Sequence, residues 1–303
     1  MGDLLALFAN NLLPVFLAAG AGFVLGKTMK IEVQTLSRAA FYVFSPCLIF
    51  TLLTKNEMSG GDVLRMGGFA TVQILLVGGV AWLIARGLKL RRELLVAVIL
   101  AAMMPNAGNF GLSVELFAFG EKGLAYAGIY FIASSILANT VGVYVASLGR
   151  SSYREALVGL LKIPTLYAVV IALLFLQMGW TLPVPVARTV ELFSGATIPL
   201  MLVLLGLMLQ QATWRGSARE LWVAGGLRLL VSPAIALGVA MLFGLQGVMR
   251  QSGLLEAAMP TAVMATVLAT EFEVEPSFVT AAVFLTTLLS PLTLTPLLAW
   301  LGR

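Results

Sequence analysis

Histidine is absent from the 303-residue chain, and Cys47 is its single cysteine. Without histidine there is no Ser-His-Asp triad, no imidazole metal ligand and no histidine proton relay. One cysteine excludes an intrachain disulfide and a thiolate metal cluster. No metal site and no cofactor is therefore expected. Charge is scarce too: 11% of the residues are charged and 60% are hydrophobic. A mean hydropathy of +0.99 lies well outside the range of soluble domains. The net charge of +5 would suggest a nucleic-acid partner in a soluble protein. Here the basic residues sit mainly in short loops between apolar runs, where they set membrane topology, so the expected surroundings are a lipid bilayer and not nucleic acid.

What the chain has in quantity is apolar sequence in lengths of about 20 residues, enough to cross a bilayer. Ten such spans are read, at residues 4–26, 36–54, 63–85, 94–119, 123–148, 156–178, 188–209, 219–243, 251–271 and 277–301. Asp3 precedes the first run with no Lys or Arg, so the positive leader of a cleavable signal is missing. The first run then reads as a membrane helix entering with its amino end outside. In that orientation the inner loops carry Lys27, Lys30, Arg38, Arg86, Lys89, Arg91, Arg92, Arg150, Arg154, Lys162, Arg215 and Arg219, twelve basic residues against six outside. The bias predicts a multi-pass protein of the cytoplasmic (inner) membrane with both termini on the non-cytoplasmic side.

Two of the spans are interrupted. Pro105-Asn106-Ala107-Gly108-Asn109-Phe110-Gly111 breaks the fourth, and Ala257-Ala258-Met259-Pro260-Thr261 breaks the ninth. Proline removes a backbone donor and clashes with the carbonyl four residues earlier, and in lipid the freed groups must find other partners. Prolines recur at matching places in the two halves: Pro14 with Pro164, Pro46 with Pro199, Pro105 with Pro260, at offsets of 150, 153 and 155. Each half holds an odd number of spans, so the halves must be oppositely oriented. The expected architecture is an all-α membrane protein of ten transmembrane helices in a 5+5 inverted repeat. Residues 1–148 form the first repeat, 149–155 an inner linker and 156–303 the second repeat. Paired broken helices in such a repeat point to a transporter's binding site near the membrane midplane.

The breaks also suggest chemistry. Each second half-helix begins just after its proline, leaving free N–H groups near Gly108–Phe110 and Ala262–Met264 whose partial positive charge attracts anions. Carbonyls freed at the ends of the first half-helices, near Ala101–Ala102 and Glu256–Ala257, are suited to a cation. Asn106 and Asn109 add amide donors and acceptors without fixed charge, and Gly108 allows close approach of a ligand or backbone. Candidate substrate-binding residues are accordingly Asn106, Gly108, Asn109, Thr261 and Ala262, on the helix breaks Pro105 and Pro260. Arg228 and Glu256 lie within spans and are candidates for coupling or for pairing with each other. Glu115 and Glu191 fall near outer span ends, where solvent is expected to reach them.

Phe41-Tyr42-Val43-Phe44-Ser45-Pro46-Cys47-Leu48-Ile49-Phe50, Asn106 to Leu112, Ile198-Pro199-Leu200-Met201 through Gly206, Ala257 to Met264 and Leu288-Leu289-Ser290-Pro291-Leu292-Thr293 together resemble the auxin efflux carrier family, including its bacterial organic-anion permeases. The likeness spans essentially the whole chain. One departure is Ser113, where the family often has proline. The resemblance implies a bile-acid-symporter-like fold, with spans 1, 2, 6 and 7 as scaffold, spans 3–5 and 8–10 as a moving transport domain, and spans 4 and 9 crossing at their prolines. It also reinforces Asn106 as a ligand contact. The function so implied is elevator-type secondary transport of a small organic anion, a dicarboxylate such as malate or malonate or another carboxylate. A homodimer through the scaffold fits the same picture, and a proton, sodium ion or no ion at all is left open as coupling partner. A sodium-coupled bile-acid-type symporter is the alternative within the fold, though it needs a denser set of cation ligands. A membrane ligand sensor would need a signalling domain or long cytoplasmic loop, and an intramembrane enzyme would need a catalytic constellation. The sequence offers neither.

Overall fold

The computed structural model describes residues 2–56, 58–147, 163–210 and 218–302. The expected linker 149–155 and the basic residues Arg150, Arg154, Lys162 and Arg215 lie outside them. The described residues are helical, without a strand. In chain order the helices are α1 (Leu4–Thr28), α2 (Val33–Lys55), α3 (Gly60–Gly87), α4 (Arg92–Met103), α5 (Ala107–Ala146), α6 (Pro164–Met178), α7 (Val184–Gln210), α8 (Ala218–Leu242), α9 (Gly247–Ala257), α10 (Val263–Glu271) and α11 (Pro276–Leu301). Seven of them, α1, α2, α3, α5, α7, α8 and α11, are long and apolar enough to cross a membrane.

The seven differ from the ten expected spans for physical reasons. A straight 40-residue α5 would be about 60 Å long, twice the hydrocarbon thickness of about 30 Å. Gly120 interrupts it with φ +65° and ψ −161°, a conformation open to glycine and strained for other residues. The boundary expected between residues 119 and 123 is this break. The segments expected as spans four and nine are each divided: α4 with the first arm of α5, and α9 with α10. None of α4, α9 or α10 exceeds 12 residues, too short to cross alone.

Proline shapes several helices without ending them. Before Pro14, Pro46 and Pro233 the chain widens into five-residue π turns at Phe8–Leu12, Ala40–Phe44 and Leu227–Val231. Proline supplies no N–H to the carbonyl four residues back, and widening the turn relieves the clash. Nearby side chains bond the loosened carbonyls. Asn11 Nδ2 donates to Leu7 O at 2.9 Å, Ser45 Oγ to Ala40 O at 2.7 Å, and, four residues before Pro291, Thr287 O accepts from Ser290 Oγ at 2.8 Å.

Extensive helix packing falls into two groups. In the first, α7 lies along α1, and α6 and α7 both pack on α2. The α1–α7 contact is backbone on backbone. A Cβ on Gly206 would lie 1.8 Å from the Ala19 carbonyl oxygen, and one on Gly22 would lie 2.2 Å from that of Val203. Small residues permit this approach, which supplies the dispersion energy that lipid-facing apolar surface cannot. In the second group α3 packs on α4 and α5, α9 on α5, and α8 on α3 and α9. The groups meet where the first turn of α5 touches α7 and Phe110 meets Phe16 edge-on with ring centroids 5.8 Å apart, and also where α2 packs on the second arm of α5 and α1 on α11.

Candidate substrate site at two crossed helix breaks

The two breaks meet. Pro105 and Thr261 form an antiparallel bridge, with Asn106 N donating to Pro260 O at 2.8 Å and Ala262 N to Met104 O at 2.8 Å. Each break thus satisfies a carbonyl that the other exposes, an economical solution where water is excluded and each orphan group costs several kcal/mol. From the bridge, α5 and α10 start afresh. The first N–H groups of each have no intrahelical acceptor by the geometry of any helix start, and their dipoles place partial positive charge there.

The side chains at the breaks are not equivalent. Asn106 is buried, at 4% exposure, and its Nδ2 has no hydrogen-bond partner among the described residues. Asn109, one turn on, is half-buried and has no side-chain bond to a described residue. At the second break Thr261 is fully buried and fully used. Its Oγ1 donates to Ala101 O at 2.8 Å, and its N donates to Thr286 Oγ1 at 3.0 Å. Ala262 presents a backbone N–H already committed to Met104 O. Gly108 packs against Phe131, whose ring carbon would stand 2.7 Å from a Cβ. Its close approach is thus to a side chain of the second arm of α5. The expected set Asn106, Gly108, Asn109, Thr261 and Ala262 is brought together around one bridge, with the unpartnered donor at Asn106.

The carbonyls read as suited to a cation already hold one. Arg228, on the π turn of α8, is fully buried. Its Nη1 donates to Ala102 O at 2.9 Å, and its Nη2 donates to Ser232 Oγ at 2.6 Å and to Ala257 O. Ser232 Oγ in turn donates to Ala257 O at 2.7 Å and accepts from Gln73 Nε2 at 2.8 Å. Tyr130 OH donates to Gln73 Oε1 at 2.7 Å. Arg228 and Glu256, candidates for coupling or for pairing with each other, make no direct salt bridge; the guanidinium binds helix-end carbonyls, while the two charges act on each other without contact.

Glu256 is fully buried, and neither carboxylate oxygen has a hydrogen-bond partner among the described residues. It faces the first arm of α5, where a Cβ on Gly111 would lie 2.5 Å from both oxygens. The solvated position expected for Glu115 is also corrected. It is fully buried because the Gly120 break folds α5 back over it and α9 covers it, and it accepts from Ser252 Oγ at 2.8 Å. Glu191, by contrast, is half exposed and pairs with Lys55 at 3.0 Å, an exposed bridge of little energetic weight.

Gln73, Ser232, Tyr130, Thr286 and Ser252 are the polar residues that sequence reasoning missed. For Gln73, Ser232, Tyr130 and Thr286 the signal was available, since each is a polar group well inside an apolar run; Ser252, just after Arg250-Gln251 at a span end, gave none. Two open cavities, of about 440 Å³ near Lys30 and Gln210 and about 460 Å³ near Thr54 and Trp180, are lined by no crossover residue. At the crossover Pro105, Asn106, Pro260 and Thr261 are buried and Asn109 is half-buried.

A polytopic helical protein whose two broken helices cross at an enclosed polar centre has the form of a membrane carrier, and comparison with known proteins agrees. The family model described as membrane transport protein matches residues 7–156 and 146–298. An uncharacterized transporter of Methanothermobacter thermautotrophicus is 31% identical over 269 residues, covering 88% of each chain. One from Methanocaldococcus jannaschii is 28% identical over 274 residues, covering 88% of this chain and 89% of its own. A probable auxin efflux carrier component of Oryza sativa is 29% identical over 133 residues, which is 43% of this chain and 24% of the plant protein. The chain belongs to the membrane transport protein family that includes the auxin efflux carriers.

Proposed function

We propose that this membrane transporter is a secondary carrier of small organic anions, with a dicarboxylate such as malate or malonate as the model substrate, working by elevator-type alternating access. One observation carries the reading. The buried Nδ2 of Asn106 lacks a partner at the point where two helix amino ends, those of α5 and α10, leave a single bridge. A carboxylate supplies what that place lacks: an acceptor for the amide and negative charge for the two dipole ends.

In the proposed cycle the substrate binds at the crossover, and the helices around it carry it past the scaffold to the opposite face. The packing into two groups supports a scaffold made from spans 1, 2, 6 and 7 and a moving domain from spans 3–5 and 8–10. The near-constant proline offsets and the antiparallel meeting of the breaks support ten spans in two inverted repeats. The excess of basic residues in the inner loops supports both termini outside the cytoplasm.

The test is uptake of a panel of radiolabelled mono- and dicarboxylates into liposomes holding purified protein, under imposed proton, sodium and potential gradients. Saturable uptake of at least one member is expected. Failure to move any of them under any gradient would overturn the proposal.

A further inference from the structure

From the three bonds its guanidinium makes we infer that Arg228 is a built-in cation, filling the place between the two crossing helices where carbonyls freed at the helix ends would otherwise be open to a metal cation. The consequence for transport rests on the carboxylate reading above: the anion would move without a sodium ion bound at this position.

The place is defined by backbone. Ala102 O lies at the carboxyl end of α4 and Ala257 O at the carboxyl end of α9, and both helix ends carry partial negative charge. They are matching points of the two halves, separated by the same 155 residues as Pro105 and Pro260. Ser232 Oγ adds a third oxygen. Oxygens are the hard donors that hard metal cations prefer, and in carriers with broken helices unwound carbonyls and half-helix carboxyl ends coordinate sodium. Here all three accept from one guanidinium.

Arginine suits the task because it stays protonated in proteins and its donors fan out in a plane, so one group reaches both helix ends. A buried charge among membrane helices is costly unless its partners are in place. Those partners are held: Gln73 donates to Ser232 and is itself held by Tyr130, so α3 and α5 brace the serine that α8 contributes. The acids of the region do not take this role. Glu256 and Glu115 are buried nearby, yet neither forms an ion pair with Arg228. Other carbonyls at the crossing are closed by the chain as well, Ala101 O by Thr261 and Met104 O by Ala262. The guanidinium therefore completes a set in which the crossing needs no external ion.

The experiment needs no substrate. Detergent-purified wild type, Arg228→Ala, Arg228→Gln and Arg228→Lys are melted in N-methylglucamine chloride, in sodium chloride at equal strength, and in N-methylglucamine chloride with a few millimolar guanidinium chloride. Wild type and Arg228→Lys are expected to melt at the same temperature in all three. Arg228→Ala and Arg228→Gln should melt lower in N-methylglucamine and recover by about 5 °C in sodium or guanidinium, through mass-action binding to the vacated place. A donor without charge would suffice if the arginine were only a structural bonding group. Arg228→Gln matching wild type in every medium would therefore overturn the inference, as would wild type gaining the same stabilisation from sodium. If Arg228→Ala does not survive extraction, the contrast between Arg228→Gln and Arg228→Lys decides by the same criteria. Because uptake is not measured, failure here leaves the carboxylate reading standing, and the reverse holds too.

Discussion

The two helix breaks meet in one antiparallel bridge and do different work. At the first, around Pro105, a buried amide is left without a partner. At the second, around Pro260, Thr261 spends its hydroxyl on Ala101 O and its N–H on Thr286. One break keeps a buried donor unused, and the other is tied to its neighbours. The lesson concerns how a site is held in lipid. Polar recognition needs a group with unused bonding capacity, and such a group stays in position only when the surrounding backbone is fully bonded. The tied break gives the open one its rigidity.

The largest effect is expected from neither break. Gly206→Leu drives a side chain into the Ala19 carbonyl, where a Cβ alone would sit at 1.8 Å. Backbone cannot yield as a flexible side chain does, and the α1–α7 contact should be lost. Little monodisperse protein should survive size-exclusion chromatography. A variant that elutes and transports normally would show that the scaffold packing is not needed to hold the breaks.

Next is Thr261→Val, which keeps shape and leaves Ala101 O without its donor. A buried unsatisfied carbonyl costs about 1–3 kcal/mol, so thermal melting should fall by several degrees while the KM of the transported carboxylate changes less than about threefold. A raised KM at unchanged stability would reverse the roles given to the two breaks. A smaller effect is expected from Gly108→Ala. Phe131 must withdraw from a contact of 2.7 Å, and because that ring can move, stability should drop by no more than about 1–2 kcal/mol, within the range for mild overpacking, measurable by thermal melting. Smallest is Asn109→Ala, where a half-buried amide is lost and KM should rise about two- to threefold in liposome uptake. Asn109→Ala exceeding Asn106→Ala would move the recognition point one turn along α5.

Much of this layout was legible in the sequence because membrane insertion leaves a strong imprint on it. Apolar run length marked the helices, and proline marked where backbone had to be rescued. Pro105 and Pro260 are therefore paired in the sequence itself. The turn at Gly120 is legible as the boundary after residue 119, and solvent is expected at Glu115 because it lies near that span end. What the sequence does not show is that α9 packs over it and buries it. The destination of Arg228 was also hidden, since sequence shows the charge of a partner and not a backbone carbonyl brought in from another helix. The sequence marks the carbonyls near Ala102 and Ala257 as suited to a cation and Arg228 as a charge within a span, but nothing in it shows that the one reaches the other. Gln73 and Ser232 were readable as polar residues inside spans, but only their mutual bond gives them meaning.

The account turns on Asn106 as the open donor at the crossing. Its most direct test is the concentration dependence of uptake, in parallel liposomes holding wild type or Asn106→Ala, for the best-transported carboxylate of the panel. Loss of one hydrogen bond to a charged group is worth about 1.5–3 kcal/mol. The predicted result is a KM raised by about tenfold or more, with melting temperature and insertion unchanged. Uptake by Asn106→Ala at the wild-type KM would contradict the account.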